Sequence, residues 1–143
     1  MATVDDVRTA SAQFYSALNA ALNGDAGPLD GIWSHDAEVT TLHPLGGRQV
    51  GWLEVQPVFA QTATVSSKGN VRLEDQLVRV IGDMAYEVGV ERGSLTLAGN
   101  AVEIAGNRVT NVYVRESGGW KIVHHHTDLS PEMVDIRARL AAR

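Results

Sequence analysis

Five histidines supply most of the chemistry that this sequence offers, and three of them are consecutive. The run Trp120-Lys121-Ile122-Val123-His124-His125-His126-Thr127-Asp128 follows the turn signal Ser117-Gly118-Gly119, and neither Pro nor Gly interrupts it. Strict alternation along a strand puts Trp120, Ile122, His124, His126 and Asp128 on one face, with Lys121, Val123, His125 and Thr127 on the other. The first face is then apolar at one end and carries imidazoles and a carboxylate at the other. A pocket wall has that pattern, with core below and chemistry at the mouth. A purely structural reading, in which the imidazoles fill space and hydrogen-bond, stands beside it. His43 precedes Pro44-Leu45-Gly46-Gly47, so it falls where a short strand must turn. Imidazole titrates near neutral pH and is a common general base. A His43 base, with His124 or His126 donating to a developing oxyanion, can move a proton on a substrate, and Asp128 can orient an imidazole.

Whole classes of function are disfavoured by composition. The chain has 143 residues, enough for one domain with a sizeable core. Its formal charge is -5 and it has no basic block, which argues against nucleic acid as a partner. Cysteine is absent, so disulfides and thiolate metal sites are excluded. No 18-residue apolar stretch calls for a membrane span. The first residues lack the basic-then-apolar run of a signal peptide, so a cytoplasmic protein is expected.

The elements that must position the histidines can be read in order. Thr3 to about Asn23 is helical, with Val4, Val7, Phe14, Leu18 and Leu22 near the 3.6-residue period and Thr3 as its cap. Pro28 to Trp33 gives a short helix and Ala37 to Leu42 a short strand, followed by a loop through Arg48. Gly51 to about Thr64 is a third helix, which Pro57 should kink or shorten. Val71–Ile81, Met84–Leu97, Ala101–Arg115 and Trp120–Asp128 then read as strands, with Gly82-Asp83, Gly99-Asn100 and Ser117-Gly118-Gly119 as hairpin turns. Gly89 and Gly93 mark a bulge or bend. Ser130 to Leu140 closes the chain as a helix capped by Ser130. Helices first and strands after is an α+β order, here one domain over residues 1–143 with a curved antiparallel sheet of four to six strands folded over the N-terminal helices.

Several stretches together resemble the SnoaL-like branch of the NTF2-like superfamily. They are the N-terminal helix, Leu29-Asp30-Gly31-Ile32-Trp33, Asp36-Ala37-Glu38-Val39, His43-Pro44-Leu45-Gly46, and the closing strands with Arg108-Val109-Thr110-Asn111-Val112-Tyr113 and Gly119-Trp120-Lys121-Ile122-Val123 before the histidines. The resemblance covers roughly residues 4 to 128 and implies a cone-shaped fold, usually a homodimer joined through the outer sheet face. That superfamily includes ketosteroid isomerases, polyketide cyclases and a kinase association domain, so fold alone does not give function. In the isomerases an Asp before Pro-Val-Gly is the general base, and His43 looks like its counterpart. Their helix-borne oxyanion-donor Tyr falls at Phe14, beside Tyr15, and no carboxyl here matches their second, protonated acid. The resemblance puts Asn111 where the kinase domain has an Arg pointing into its pocket.

Two functional readings follow, from different classes. One is an isomerase, cyclase or dehydratase acting on a small hydrophobic molecule, with His43 and His126 catalytic and Trp33, Trp52, Asn111, Tyr113 and His124 lining the site. The other is a non-catalytic ligand-binding or dimerisation module. Arg48 reads as solvated in the loop. His124 and His126 with His43 or His35 also have the spacing of a metal site, as in cupins. The helical first half argues against a cupin, so no metal or cofactor is assigned.

Overall fold

The computed structural model describes residues 3–44, 46–128 and 131–142. Helix α1, Val4–Ala21, starts at a capping box: Thr3 Oγ1 accepts from the Asp6 amide at 3.2 Å and Asp6 Oδ2 accepts from the Thr3 amide at 3.0 Å. Its apolar stripe, with Val7, Phe14 and Leu18, is buried. After α2, Leu29–Ile32, two short strands follow, β1 Thr40–Leu42 and β2 Arg48–Val50. Helix α3, Trp52–Val65, buries Val55, Phe59 and Ala63. Four long strands come next: β3 Ser66–Ile81, β4 Met84–Leu97, β5 Asn100–Glu116 and β6 Gly119–Thr127. Helix α4, Pro131–Ala141, ends the fold, with Met133 and Ile136 buried.

The six strands form one sheet in the order β2-β1-β6-β5-β4-β3. Its concave face packs on α1 and α3, as expected of a curved sheet folded over helices. Curvature comes from register shifts between Ser67 and Asn70, between Glu74 and Leu77, and between Glu91 and Gly93. Gly93 is required there. It has φ 147°, and an added Cβ would lie 1.7 Å from the Asn70 carbonyl oxygen.

Several expectations need correction. The sheet is not wholly antiparallel, because β1 runs parallel to β6, pairing Thr41 with His125 and Leu42 with His126. Part of the expected loop is strand β2, which pairs back onto β1. Strand β3 begins at Ser66 rather than Val71. Pro57 stands in the second turn of α3 without ending it. The bond lost is the one to the Leu53 carbonyl, and Leu53 is exposed, so water can satisfy that group. Ser130, expected as the last cap, lies outside the described residues.

The largest correction concerns the histidine run. Val112 pairs with His124 but Tyr113 pairs with Ile122, so Val123 is an extra residue in β6. One inserted residue reverses the alternation. Ile122 points inward before the bulge, and His125 and Thr127 point inward after it; all three are buried. His124 and His126 therefore lie on the outer face with Asp128, opposite to the strict-alternation expectation.

Candidate functional site

The concave face carries two sets of polar side chains. The deeper set centres on Glu87, which is fully buried on β4. Its Oε1 accepts from Asn111 Nδ2 and from the Tyr113 hydroxyl, both at 2.9 Å, and its Oε2 accepts from Gln76 Nε2 at 2.6 Å. Asn111 also donates to the Tyr15 hydroxyl at 3.3 Å, and its Oδ1 lies 2.6 Å from His125 Nδ1. Oδ1 can only accept, so His125 carries its proton on Nδ1 and keeps a lone pair on Nε2. Burial drives the His125 pKa well below its usual value, helped by the neighbouring histidines, so the ring is neutral. Burial, then the charge of Glu87, likewise holds the Tyr113 hydroxyl protonated.

The second set surrounds a cavity of about 140 Å³. Leu18, Phe59, Leu95 and Ile104 form much of its wall, and Met133 of α4 closes one side. His43, Glu91, Asn107, His125 and Thr127 also face it. The strand order explains their convergence. Glu91 on β4 is opposite Asn107 on β5; Thr127 on β6 pairs with Val109, two residues further along β5; and His43 follows the Leu42–His126 pair. One short belt across the sheet therefore contains all of them.

Glu91 is buried and accepts from the Tyr15 hydroxyl at 2.8 Å. Burial raises its pKa from 4.5 to about 7, the charge of Glu87 adds to this, and the Tyr15 bond partly offsets it. Tyr15 itself is held protonated, first by burial and then by the charge of Glu91. His43 packs edge-on against Phe59 at 5.0 Å and lies 6.3 Å from the His125 ring. Burial lowers its pKa from 6.5 to about 4, so it is neutral at physiological pH. Among the described residues, His43 Nε2, both amide atoms of Asn107 and Thr127 Oγ1 are buried without a hydrogen-bond partner. Two further atoms share that state, Trp33 Nε1 and Ser66 Oγ, and neither residue lines the cavity.

Of the expected site residues, His43 faces this cavity. Asn111 and Tyr113 are buried one layer deeper, tied to Glu87. Trp33 is core, packed near Phe14, Trp52 and Phe59. Trp52 is half-buried and stacks on the exposed His35 at 4.4 Å. His124 is held by the Thr40 hydroxyl at 2.7 Å. His126 lines a shallow groove on the outer face beside Asp75, Val88 and Arg108. Arg48 is exposed on β2. Among the described residues no group of three or more His, Asp or Glu side chains is placed to hold a metal ion.

Sequence reasoning missed Glu87 and Glu91. An acidic residue in an alternating strand reads as solvent-facing. A signal existed in Glu87-Val88-Gly89-Val90-Glu91, where two carboxyls share one face and a glycine sits between them. Gly89 lets β3 approach, since an added Cβ would lie 2.7 Å from Leu73 Cδ1. His125 was assigned to the wrong face because of the Val123 bulge.

The profile of SnoaL-like domains matches residues 7–130. No match was found among curated proteins. Among solved structures, a candidate dehydratase of the NTF2-like family from Streptomyces avermitilis superposes with a TM-score of 0.78 at 26% identity, over 89% of this chain and 95% of that one. An NTF2-like superfamily protein from Salmonella enterica serovar Typhimurium gives a TM-score of 0.76 at 18% identity, over 87% and 88%. A candidate calcium/calmodulin-dependent kinase II association domain from Thiobacillus denitrificans gives 0.66 at 25% identity, over 86% and 94%. The six-stranded open sheet over an N-terminal helix is thus the NTF2-like cone, and with the profile match spanning most of its length, the chain belongs to the family of SnoaL-like domains.

Proposed function

We propose that the protein is an acid–base enzyme of the dehydratase or isomerase kind, acting on a small, largely apolar substrate, with His43 as general base and Glu91 as its acid partner. One observation carries the reading: Glu91, His43 and His125 meet in one apolar cavity, with no Lys or Arg among its described lining residues to neutralise the carboxyl. Structural ion pairs perturb pKa values too, but here the causes are burial and a like charge. Neutral His43 takes a proton from carbon. Glu91, about half protonated near pH 7, delivers one to oxygen, and the carboxylate left behind favours the imidazolium just formed. Tyr15 and Asn111 hold Glu91 in place from the deeper set. The likeness to the Streptomyces avermitilis candidate dehydratase supports the same class.

Exchange of α-protons for deuterium in a panel of small neutral ketones, followed by NMR at neutral pD, tests this without a known substrate. Acceleration over buffer is expected, and its loss in His43→Ala. Ketones that occupy the cavity yet exchange no faster than in buffer would leave the non-catalytic binding module as the better reading.

A homodimer through the outer sheet face is proposed alongside. Leu77, Ile81 and Met84, which are 50%, 53% and 45% exposed, cluster on that face at the β3–β4 turn. Sedimentation at micromolar concentration should give twice the 15.4 kDa chain mass, and a single 15.4 kDa species would count against it.

A further inference from the structure

Asn107 and Thr127 are 2% and 3% exposed, and their side-chain polar atoms have no hydrogen-bond partner among the described residues. Buried polar groups in folded proteins are nearly always paired, so such exceptions call for an explanation. Here the exceptions share one cavity with His43 Nε2. Asn107 offers a donor and an acceptor from one planar group, and Thr127 adds a hydroxyl that can do either. A partner molecule must therefore present an acceptor and a donor close together.

Charge narrows the class further. Among the described residues no Lys or Arg lines the cavity, while Glu91 does. The Arg137 guanidinium lies against Gly46, where an added Cβ would meet its Nη1 at 2.8 Å, and Arg137 is not among the described lining residues. A carboxylate or phosphate on the ligand would be buried beside Glu91 with no counter-charge among the described lining residues, which is costly. An ammonium group would find one carboxyl, but that group is held largely by Tyr15 and is only partly ionised near neutral pH. The remaining wall is apolar and admits a compact hydrocarbon body.

We propose that Asn107 and Thr127 are the polar anchor of this cavity, and that its ligand is an uncharged compact molecule whose head carries an acceptor and a donor side by side, as in a primary carboxamide or a 2-hydroxy ketone. The inference rests on the acid–base reading for the choice of cavity. Its test reads binding and not turnover, so either can fail alone.

Three probes of one shape decide it: benzamide with acceptor and donor, acetophenone with the acceptor only, and benzoate with a charge. Binding is followed at pH 8 by titration in 15N–1H spectra, where the Asn107 side-chain amide reports directly. Benzamide should bind about tenfold tighter than acetophenone, the factor that one buried hydrogen bond of ordinary strength supplies, and benzoate should not reach half-saturation at millimolar concentration. Asn107→Leu should erase the preference, so that benzamide and acetophenone bind the variant within about twofold of each other. Thr127→Val provides a second, milder variant, and thermal melts show that both are folded. Benzoate binding as well as benzamide, a preference that survives when Asn107→Leu and Thr127→Val are combined, or no binding by any probe would overturn the inference.

Discussion

Two layers of the same concave surface use similar residues in opposite ways. In the deeper layer Glu87, Asn111, Tyr113, Gln76 and His125 satisfy one another, and Asn111 uses both amide protons and its oxygen. In the outer layer, among the described residues, the Asn107 side chain and Thr127 Oγ1 have no hydrogen-bond partner, and Glu91 accepts from Tyr15. An Asn on the same face of the same strand, four residues away, thus goes from structural hub to open valence. Closed polar networks fix a core, whereas open ones in a cavity await a ligand. Tyr15 joins the layers, since it donates to Glu91 and accepts from Asn111.

The contrast breaks first, and by most, in activity. His43→Ala should lower proton-transfer rate by about 10²–10⁴-fold, the usual range for a general base. Steady-state kinetics on the ketone that exchanges fastest would show it. Unchanged rates would remove His43 from the chemistry while leaving the cavity as a binding site. In the deeper layer the large effect is on stability. Glu87→Ala strands the donors of Asn111, Tyr113 and Gln76, and should cost about 3–5 kcal/mol in urea unfolding, as breaking a buried polar group from its partners does. A loss under about 1 kcal/mol would mean that water already serves these groups.

Proton linkage sharpens the contrast within the outer layer. Glu91 has its folded pKa raised from 4.5 to about 7, so the folded state holds the proton more tightly. Its contribution is full below pH 4.5 and is lost as pH rises through about 7. His43 has the opposite sign: its folded pKa is lowered from 6.5 to about 4, so its contribution is present above 6.5 and lost as pH falls toward 4. The two slopes oppose each other over nearly the same window. Relative to the parent protein, Glu91→Gln should gain about 3 kcal/mol between pH 4.5 and 8, and His43→Phe should gain a similar amount as pH falls from 6.5 to 4. Denaturant midpoints measured across pH for the three proteins check this. Parallel curves would mean that neither group is desolvated.

Much of the frame was legible. Gly82-Asp83, Gly99 and Gly118 fall in the three long hairpin turns, and the apolar spacing of Val7, Phe14 and Leu18 gives α1 its buried stripe. His43 was legible because Pro44 forces a turn after a strand. What was not legible depended on single-residue events and distant pairing. The Val123 bulge carries no glycine to announce it, yet it decides which histidines face the cavity. The parallel pairing of β1 with β6 joins residues more than eighty positions apart, and it brings His43 to the same cavity as Thr127. The inward carboxyls of β4 follow from burial that an alternating pattern cannot reveal.

The smallest predicted effect compares a paired hydroxyl with an unpaired one, because one substitution is made twice. Thr41 and Thr127 are both buried and lie on neighbouring strands of the same face. Thr41 donates to Gln49 Oε1 at 2.7 Å, while Thr127 Oγ1 has no partner among the described residues. Replacing Thr with Val changes the hydroxyl to a methyl at nearly constant volume and keeps the branched side chain. In Thr41→Val a made bond disappears, so unfolding free energy should fall by about 1 kcal/mol. In Thr127→Val an unpaired buried hydroxyl disappears, so the ligand-free protein should gain about 1 kcal/mol. The pair compares opposite signs. Losses of equal size at both positions would show that the Thr127 hydroxyl is already satisfied in the free protein, and the outer layer would then be as closed as the inner one.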